Sequence, residues 1–262
     1  MSDSVLLTTD GGIATVTLNR PDRLNAIDLE MANALRDIML NVERDPSIRA
    51  VVLKGAGKGF VAGGDVQEFQ QKLGDNLDRL VLDMTHGLHD AAIAIHRMGK
   101  PVIASVHGPC AGGGFSLAMA CDLIIAADNA MFTLAYSMIA ASPDGSSTYF
   151  LPRLIGRHKA LELIYLSDRF SSDKAAELGL INFVVPEADL AAETEKLAAR
   201  LAAGPTLAYA KAKALVNRSL ASGIADQLDA ESQNIAASSL TEDFAEGVTA
   251  FVEKRKPTFE GR

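Results

Sequence analysis

Two glycine-rich stretches, "GKGFVAGGD" at 57–65 and "AGGGF" at 111–115, each place several backbone N–H groups close together after an apolar run. Glycine permits positive φ and lets a ligand approach the chain closely. Neither stretch is a phosphate loop, because Gly59 to Gly64 is followed by Asp65 rather than Lys-Ser or Lys-Thr, and neither matches the dinucleotide fingerprint. The second stands where a helix begins, so unpaired donors and the helix dipole favour negative charge there. Two such donors aimed at one point make an oxyanion hole. The plain alternative is that these glycines only allow a helix to pack closely on a strand. A carboxylate follows in "ASPDGSSTYFLPR", where Asp144 is either a general base or the cap of a helix that Ser146 or Ser147 helps to start. His86 and His96 lie three and seven residues from His89. They suggest a metal only weakly, since no supporting carboxylate or cysteine spacing appears, and read equally as one half-exposed helix face.

The elements that must position these residues alternate between strand and helix. "VLLTTDGGIATVTLN" has two strand-like runs around Asp10-Gly11-Gly12, a hairpin signal. Asp28 can cap the next helix, whose Leu29, Ala32, Leu35, Ile38, Met39 and Val42 fall on one face. "RAVVLKG" follows as a buried strand, 77–97 as a long amphipathic helix, and "KPVIASVHG" as the strand entering the second glycine loop. "CDLIIAADNAMFTL" has strand character after a short Gly-rich helix. This order predicts an α/β core with parallel strands. From Pro186 onward the pattern is almost wholly helical, with its clearest break at Gly204-Pro205. A helical block without strands is not expected to share the sheet's faces, so it should dock on the core or on another subunit. No internal repeat is visible.

Composition narrows the classes. Of 262 residues, 48% are apolar and 22% charged, which excludes a disordered chain. The longest apolar runs fall far short of the roughly 20 residues of a membrane span. Met1 leads into neither a basic start nor an apolar signal core, so a cytoplasmic protein is expected. Cys110 and Cys121 lack metal-ligand spacing and read as small buried thiols. A net charge of −8 opposes non-specific nucleic-acid binding, and any anionic ligand must be held locally.

In order and spacing, "TLNRPDRLNAID", "FVAGGDVQEF", "KPVIASVHGPCAGGGFSLAMACDLIIAAD" and "LPRLIGRHKALELIYLSDRFSSDKAAELGLINFVV" resemble the motifs of the crotonase, or enoyl-CoA hydratase/isomerase, superfamily. The resemblance spans almost the full length. It implies a spiral of ββα units over residues 1–203 and a helical region at 204–262 that builds homotrimers or dimers of trimers. It implies a coenzyme A thioester as substrate, with no separate cofactor and no metal. It further implies that the N–H groups of Gly64 and Gly113 form the oxyanion hole. Arg23, Asn25, Ala26 and Ile27, with Ala62, Gly63 and Asp65, would lie near the coenzyme A portion. The ending "FVEKRKPTFEGR" resembles the family's tail, in which Phe259 would close a neighbouring site.

Hydratases of this family carry two glutamates that activate water, and the matching positions here hold Ser116 and Tyr136. A serine hydroxyl positions water but is no base unaided, and a tyrosine has a reference pKa near 10. The expected reaction is therefore movement of a C=C bond, with Asp144 as base. Its position resembles that of the catalytic aspartate in some family isomerases, including the ring-opening branch of phenylacetate breakdown. An apolar surrounding from Met138, Ile139 and Phe60 is expected to strengthen it. The rival is an aryl-CoA dehalogenase, in which an aspartate matching Asp144 attacks an aryl carbon and a histidine matching His89 acts as base. A hydratase and a non-catalytic acyl-CoA binder are further alternatives. An RNA-binding helix is disfavoured, because "DLEMANALRDIMLNVERD" carries five acids against two arginines.

Overall fold

The computed structural model describes residues 3–262; Met1 and Ser2, the start of the segment read for an export signal, lie outside them. The chain opens with strands β1 (Val5–Asp10) and β2 (Ile13–Leu18), paired antiparallel through a Gly11-Gly12 turn. Helix α1 (Leu29–Arg44) follows, its first turn closed by the Asp28 carboxylate, which accepts from Met31 N at 2.8 Å. Strand β3 (Ala50–Gly55) leads through the first glycine loop into α2 (Val66–Gln71) and the long α3 (Leu77–Arg97). Then come β4 (Val102–Val106), β5 (Pro109–Ala111), α4 (Gly113–Ala120), β6 (Leu123–Ala127) and β7 (Met131–Thr133). Helices α5 (Ser147–Ile155) and α6 (Arg157–Leu166), strand β8 (Phe170–Ser171), α7 (Ser172–Glu177) and β9 (Phe183–Val185) complete the core. Helices α8 (Leu190–Ala202), α9 (Thr206–Ser219), α10 (Ile224–Ser238) and α11 (Glu242–Glu253) end the chain.

The main sheet runs β1-β2-β3-β4-β6-β9, parallel from β2 onward; a smaller sheet, β5-β7-β8, stands apart from it. Alternation along β3 divides its side chains between two cores. Val51 and Leu53 join Met31, Leu35, Leu88 and Ile95 under α1 and α3. Val52 turns the other way, with Ile103 and Ile125, to meet Leu190 and Ala198 of α8. Both faces of the parallel strands are thus covered, as this sheet type requires.

Helix α8 corrects one expectation, since part of the strand-free C-terminal block does share a face of the sheet. Thr194 even bonds Ser105 of β4 through their hydroxyls at 2.8 Å. A lone amphipathic helix can cover a sheet face that no ββα unit occupies. Beyond Gly204-Pro205, α9 docks through Lys213, which reaches Asp122 at 2.8 Å and Ile95 O at 2.7 Å. Arg49 adds bonds to the carbonyls of Gly204 and Phe259.

Helix α4 is apolar and buried all round. Phe115 packs on Phe132 and Phe170 with ring centroids 5.1 and 5.9 Å apart, so the small sheet anchors the helix that carries the second glycine loop. A methyl group on Gly114 would overlap Val61, which shows how closely helix and first loop approach.

Candidate active site

The two glycine loops lie against each other. Ala111 N donates to Val61 O at 2.8 Å, and a methyl placed on Gly63 would stand 3.9 Å from Gly112 Cα. Both of these glycines hold positive φ, +101° and +49°, a region costly to residues with a Cβ. Ile27 straddles Gly64: its N–H donates to Gly63 O and its carbonyl accepts from Asp65 N, both at 2.8 Å. In that parallel pattern the Gly64 N–H points away from Ile27. Gly113 opens α4, where a first-turn N–H has no acceptor within the helix. Close packing is thus present at both loops, and neither the Gly64 N–H in the Ile27 pairing nor the Gly113 N–H within α4 has an acceptor.

Asp144 stands beside this junction. Its Oδ1 would be 3.8 Å from a methyl on Gly113 and accepts from the Tyr136 hydroxyl at 2.6 Å. The Ser116 hydroxyl is 3.0 Å from the Tyr136 hydroxyl and 3.1 Å from Gly112 O. Burial, reinforced by the Asp144 charge, pushes the Tyr136 phenol far above its ordinary pKa, so it remains a donor. The structure therefore brings Asp144, Tyr136, Ser116 and Gly113 together from three elements.

The Asp144 carboxylate does not cap α5. Its main-chain carbonyl instead accepts from Ser147 N at 3.2 Å and Ser147 Oγ at 3.0 Å, while Ser146 sits at φ +88° without a side-chain cap bond. The side chain is left free for Tyr136. Of the apolar residues expected around Asp144, Met138 and Ile139 are exposed, and Phe60 is fully buried where its N–H meets His107 O and Pro109 O.

His89 joins the site in an unforeseen way, its Nε2 accepting the Gly145 N–H at 3.2 Å. His86 is exposed, and His96 packs edge-on against Tyr149 and Phe150, so the three histidines do not act as one cluster. Among the described residues no three His, Cys, Asp or Glu side chains come together as a metal site.

The residues assigned to coenzyme A divide by what their side chains already do. Asn25, fully buried at φ +56°, donates to the carbonyls of Ala56, Gly59 and Phe60 and accepts from Arg20 N. Its amide is consumed in holding the first glycine loop. The Asp65 carboxylate caps α2 and pairs with Arg20 at 2.9 Å. Arg23 is exposed and bonds Gln67; Ala62 N donates to Leu24 O at 3.0 Å and Ile27 N to Gly63 O, lacing this turn to the strip at 62–65, while Ala26 N donates to Arg23 O. Within the chain Phe259 sits against Gly247 of α11, beside Leu207 and Phe244, in a cavity of about 420 Å³. Arg20 went unnoticed in the sequence: it bridges Asp28 at 3.0 Å and Asp65 at 2.9 Å, partners far apart along the chain that no local spacing announces. Beside them, burial and the charges of Asp28 and Asp65 push the Glu68 carboxyl up.

Two glycine loops packed against each other beside one carboxylate, in a fold of parallel strands and crossover helices, form the candidate site. The chain belongs to the enoyl-CoA hydratase/isomerase family, whose model matches residues 8–262. It is 36% identical to the 1,2-epoxyphenylacetyl-CoA isomerase of Escherichia coli K12 over 262 residues, all of both chains. It is 34% identical to the crotonyl-CoA hydratase of Syntrophomonas wolfei over 98% of each chain. The crystal structure of an enoyl-CoA hydratase from Polaromonas sp. JS666 superimposes with a TM-score of 0.93 at 34% identity, covering 98% of this chain and 99% of that one. The expected crotonase fold is thereby shown.

Proposed function

We propose that the protein is an enoyl-CoA isomerase that moves a C=C bond along an acyl-CoA thioester. The N–H groups of Gly64 and Gly113 receive the thioester oxygen, and the hydrogen bonds stabilise the enolate that forms when the carbon beside the carbonyl loses a proton. Asp144 removes that proton and returns it two carbons further along, so the double bond shifts and the base is regenerated. One carboxylate suffices, the thioester is itself the substrate, and no additional cofactor enters the balance. The observation that carries this reading is the placement of the Asp144 carboxylate against Gly113, with Tyr136 and Ser116 where a water-activating glutamate pair would stand.

The dehalogenase reading needs His89 as a free base, and its Nε2 lone pair is occupied by Gly145. Acyl-CoA binding without turnover, and hydration, are separated from isomerisation by one experiment. The protein is incubated with trans-3-hexenoyl-CoA in deuterated buffer, following conjugation by ultraviolet absorbance and product mass. Conjugation without addition of water, reduced about 100- to 10,000-fold in Asp144→Asn, is the expected result. Water adds only to a double bond conjugated with the thioester, so trans-2-hexenoyl-CoA is offered in parallel: its hydration without conjugation of the 3-enoyl isomer would favour the hydratase, and no reaction with either thioester would favour the binder.

The C-terminal helical region carries exposed apolar side chains, among them Leu240 at 88%, in the turn between α10 and α11, and Phe251 at 85% on α11. These support assembly into trimers or dimers of trimers, in which Phe259 could meet a neighbouring subunit. Light scattering on the eluting protein should give the mass of three or six chains, and a monomer would refute it. No helix of the described residues is long and apolar enough to cross a membrane.

A further inference from the structure

We propose that His89 is the positioning residue of the catalytic carboxylate, holding the turn that carries Asp144 rather than moving a proton itself. The inference rests on the reading of Asp144 as the base. A backbone N–H can only donate, so the 3.2 Å contact from Gly145 N makes His89 Nε2 an acceptor and places the ring proton on Nδ1. Gly145 follows Asp144 directly, and restraint of its amide is transmitted to the aspartate through one peptide plane.

The turn needs such restraint. Gly145 and Ser146 are both left-handed, at φ +60° and +88°, and the second of these is strained for a residue with a Cβ. A methyl on Gly145 would lie 2.9 Å from Ser116 Cβ and 3.3 Å from Leu88 Cδ2, so the turn is wedged between α3 and α4. Ser146 Oγ holds it from the α4 side, donating to Ser116 O at 3.2 Å. His89 is its holder from the α3 side. That helix is a rigid support, with Met84, Leu88, Ala91 and Ala92 buried. Leu88 also touches the space over Gly113 at 3.4 Å, so the same helix turn sets carboxylate and donor relative to each other.

The test compares His89→Ala and His89→Gln with the unaltered protein, using trans-3-hexenoyl-CoA turnover, hydrogen exchange over 143–147, and histidine 15N shifts. His89→Ala should lower kcat about tenfold with KM nearly unchanged, and speed exchange at Gly145. Gln, which also presents an acceptor, should restore most of both. The His89 shifts should show a protonated Nδ1 and an unprotonated, hydrogen-bonded Nε2. Equal impairment of the Gln and Ala variants, or unchanged exchange at Gly145, overturns the proposal. Loss in His89→Ala as complete as in Asp144→Asn also overturns it, since a positioning contact is not worth that much. Full turnover by Asp144→Asn overturns the base assignment instead, and exchange at Gly145 then still reports whether His89 holds the turn.

Discussion

The Tyr136 hydroxyl donates to Asp144 Oδ1 across 2.6 Å, so one carboxylate oxygen is engaged while Oδ2 has no protein partner among the described residues. With its proton directed at Asp144, the Tyr136 oxygen faces the Ser116 hydroxyl at 3.0 Å, and that hydroxyl also lies 3.1 Å from Gly112 O. Tyr136, itself beside Ser116, thus supports the Asp144 carboxylate through one oxygen only.

Tyr136→Phe removes that donor without changing the ring. Hydrogen bonds to charged groups are worth about 1.5–3 kcal/mol, so kcat for isomerisation should fall about 10- to 100-fold. Steady-state kinetics check it, and an unchanged kcat would mean that Oδ1 needs no partner.

Neighbouring glycines should behave oppositely. A methyl on Gly113 meets Leu88 Cδ2 at 3.4 Å, Ile27 Cδ1 at 3.7 Å and Asp144 Oδ1 at 3.8 Å, all ordinary contacts. Gly113→Ala should therefore fold normally yet lose activity on the order of 100-fold, because the methyl fills the space above the carboxylate. Gly114→Ala drives a methyl into Val61 and should cost about 1–3 kcal/mol of stability. Urea unfolding and turnover, measured on both, separate the two effects.

Asn25→Ala should destabilise by about 2–4 kcal/mol, since it strips a buried amide from three carbonyls and leaves Ala in a left-handed conformation. The shift in urea midpoint measures this.

Burial, with Lys213 nearby, lowers the pKa of His96 below its usual value. The folded state thus prefers the neutral ring. That contribution is fully present above pH 6.5 and is lost as pH falls through the depressed folded value, because the unfolded chain takes up the proton first. His96→Phe, in contact with Tyr149 and Phe150, should flatten the stability profile as pH falls below 6.5. Urea titrations at several pH values test the slope.

Much of the architecture was legible because it is local. Asp28 caps α1, the helix expected over 77–97 runs from Leu77 to Arg97, and Gly11-Gly12 turns the opening hairpin. Each depends on periodicity or turn chemistry within a few residues. The place of α8 was misjudged because an amphipathic helix does not state which surface will cover it, and only the two-sided alternation of β3 made that surface available.

In the site, residue types marked the two glycine stretches and Asp144 as candidates, and only the family resemblance singled out Gly64 and Gly113 as donors and Asp144 as base. Their roles were decided by contacts between segments distant in the chain. His89 reached Gly145 across 56 positions, Arg20 reached Asp65 across 45, and Asn25 spent its amide on loop carbonyls. A hydrogen bond depends on tenths of an ångström and on the orientation of both groups, which packing of whole helices and sheets sets. Sequence by itself determined which groups were available and which elements carried them; the tertiary structure alone decided which lone pair faced which proton.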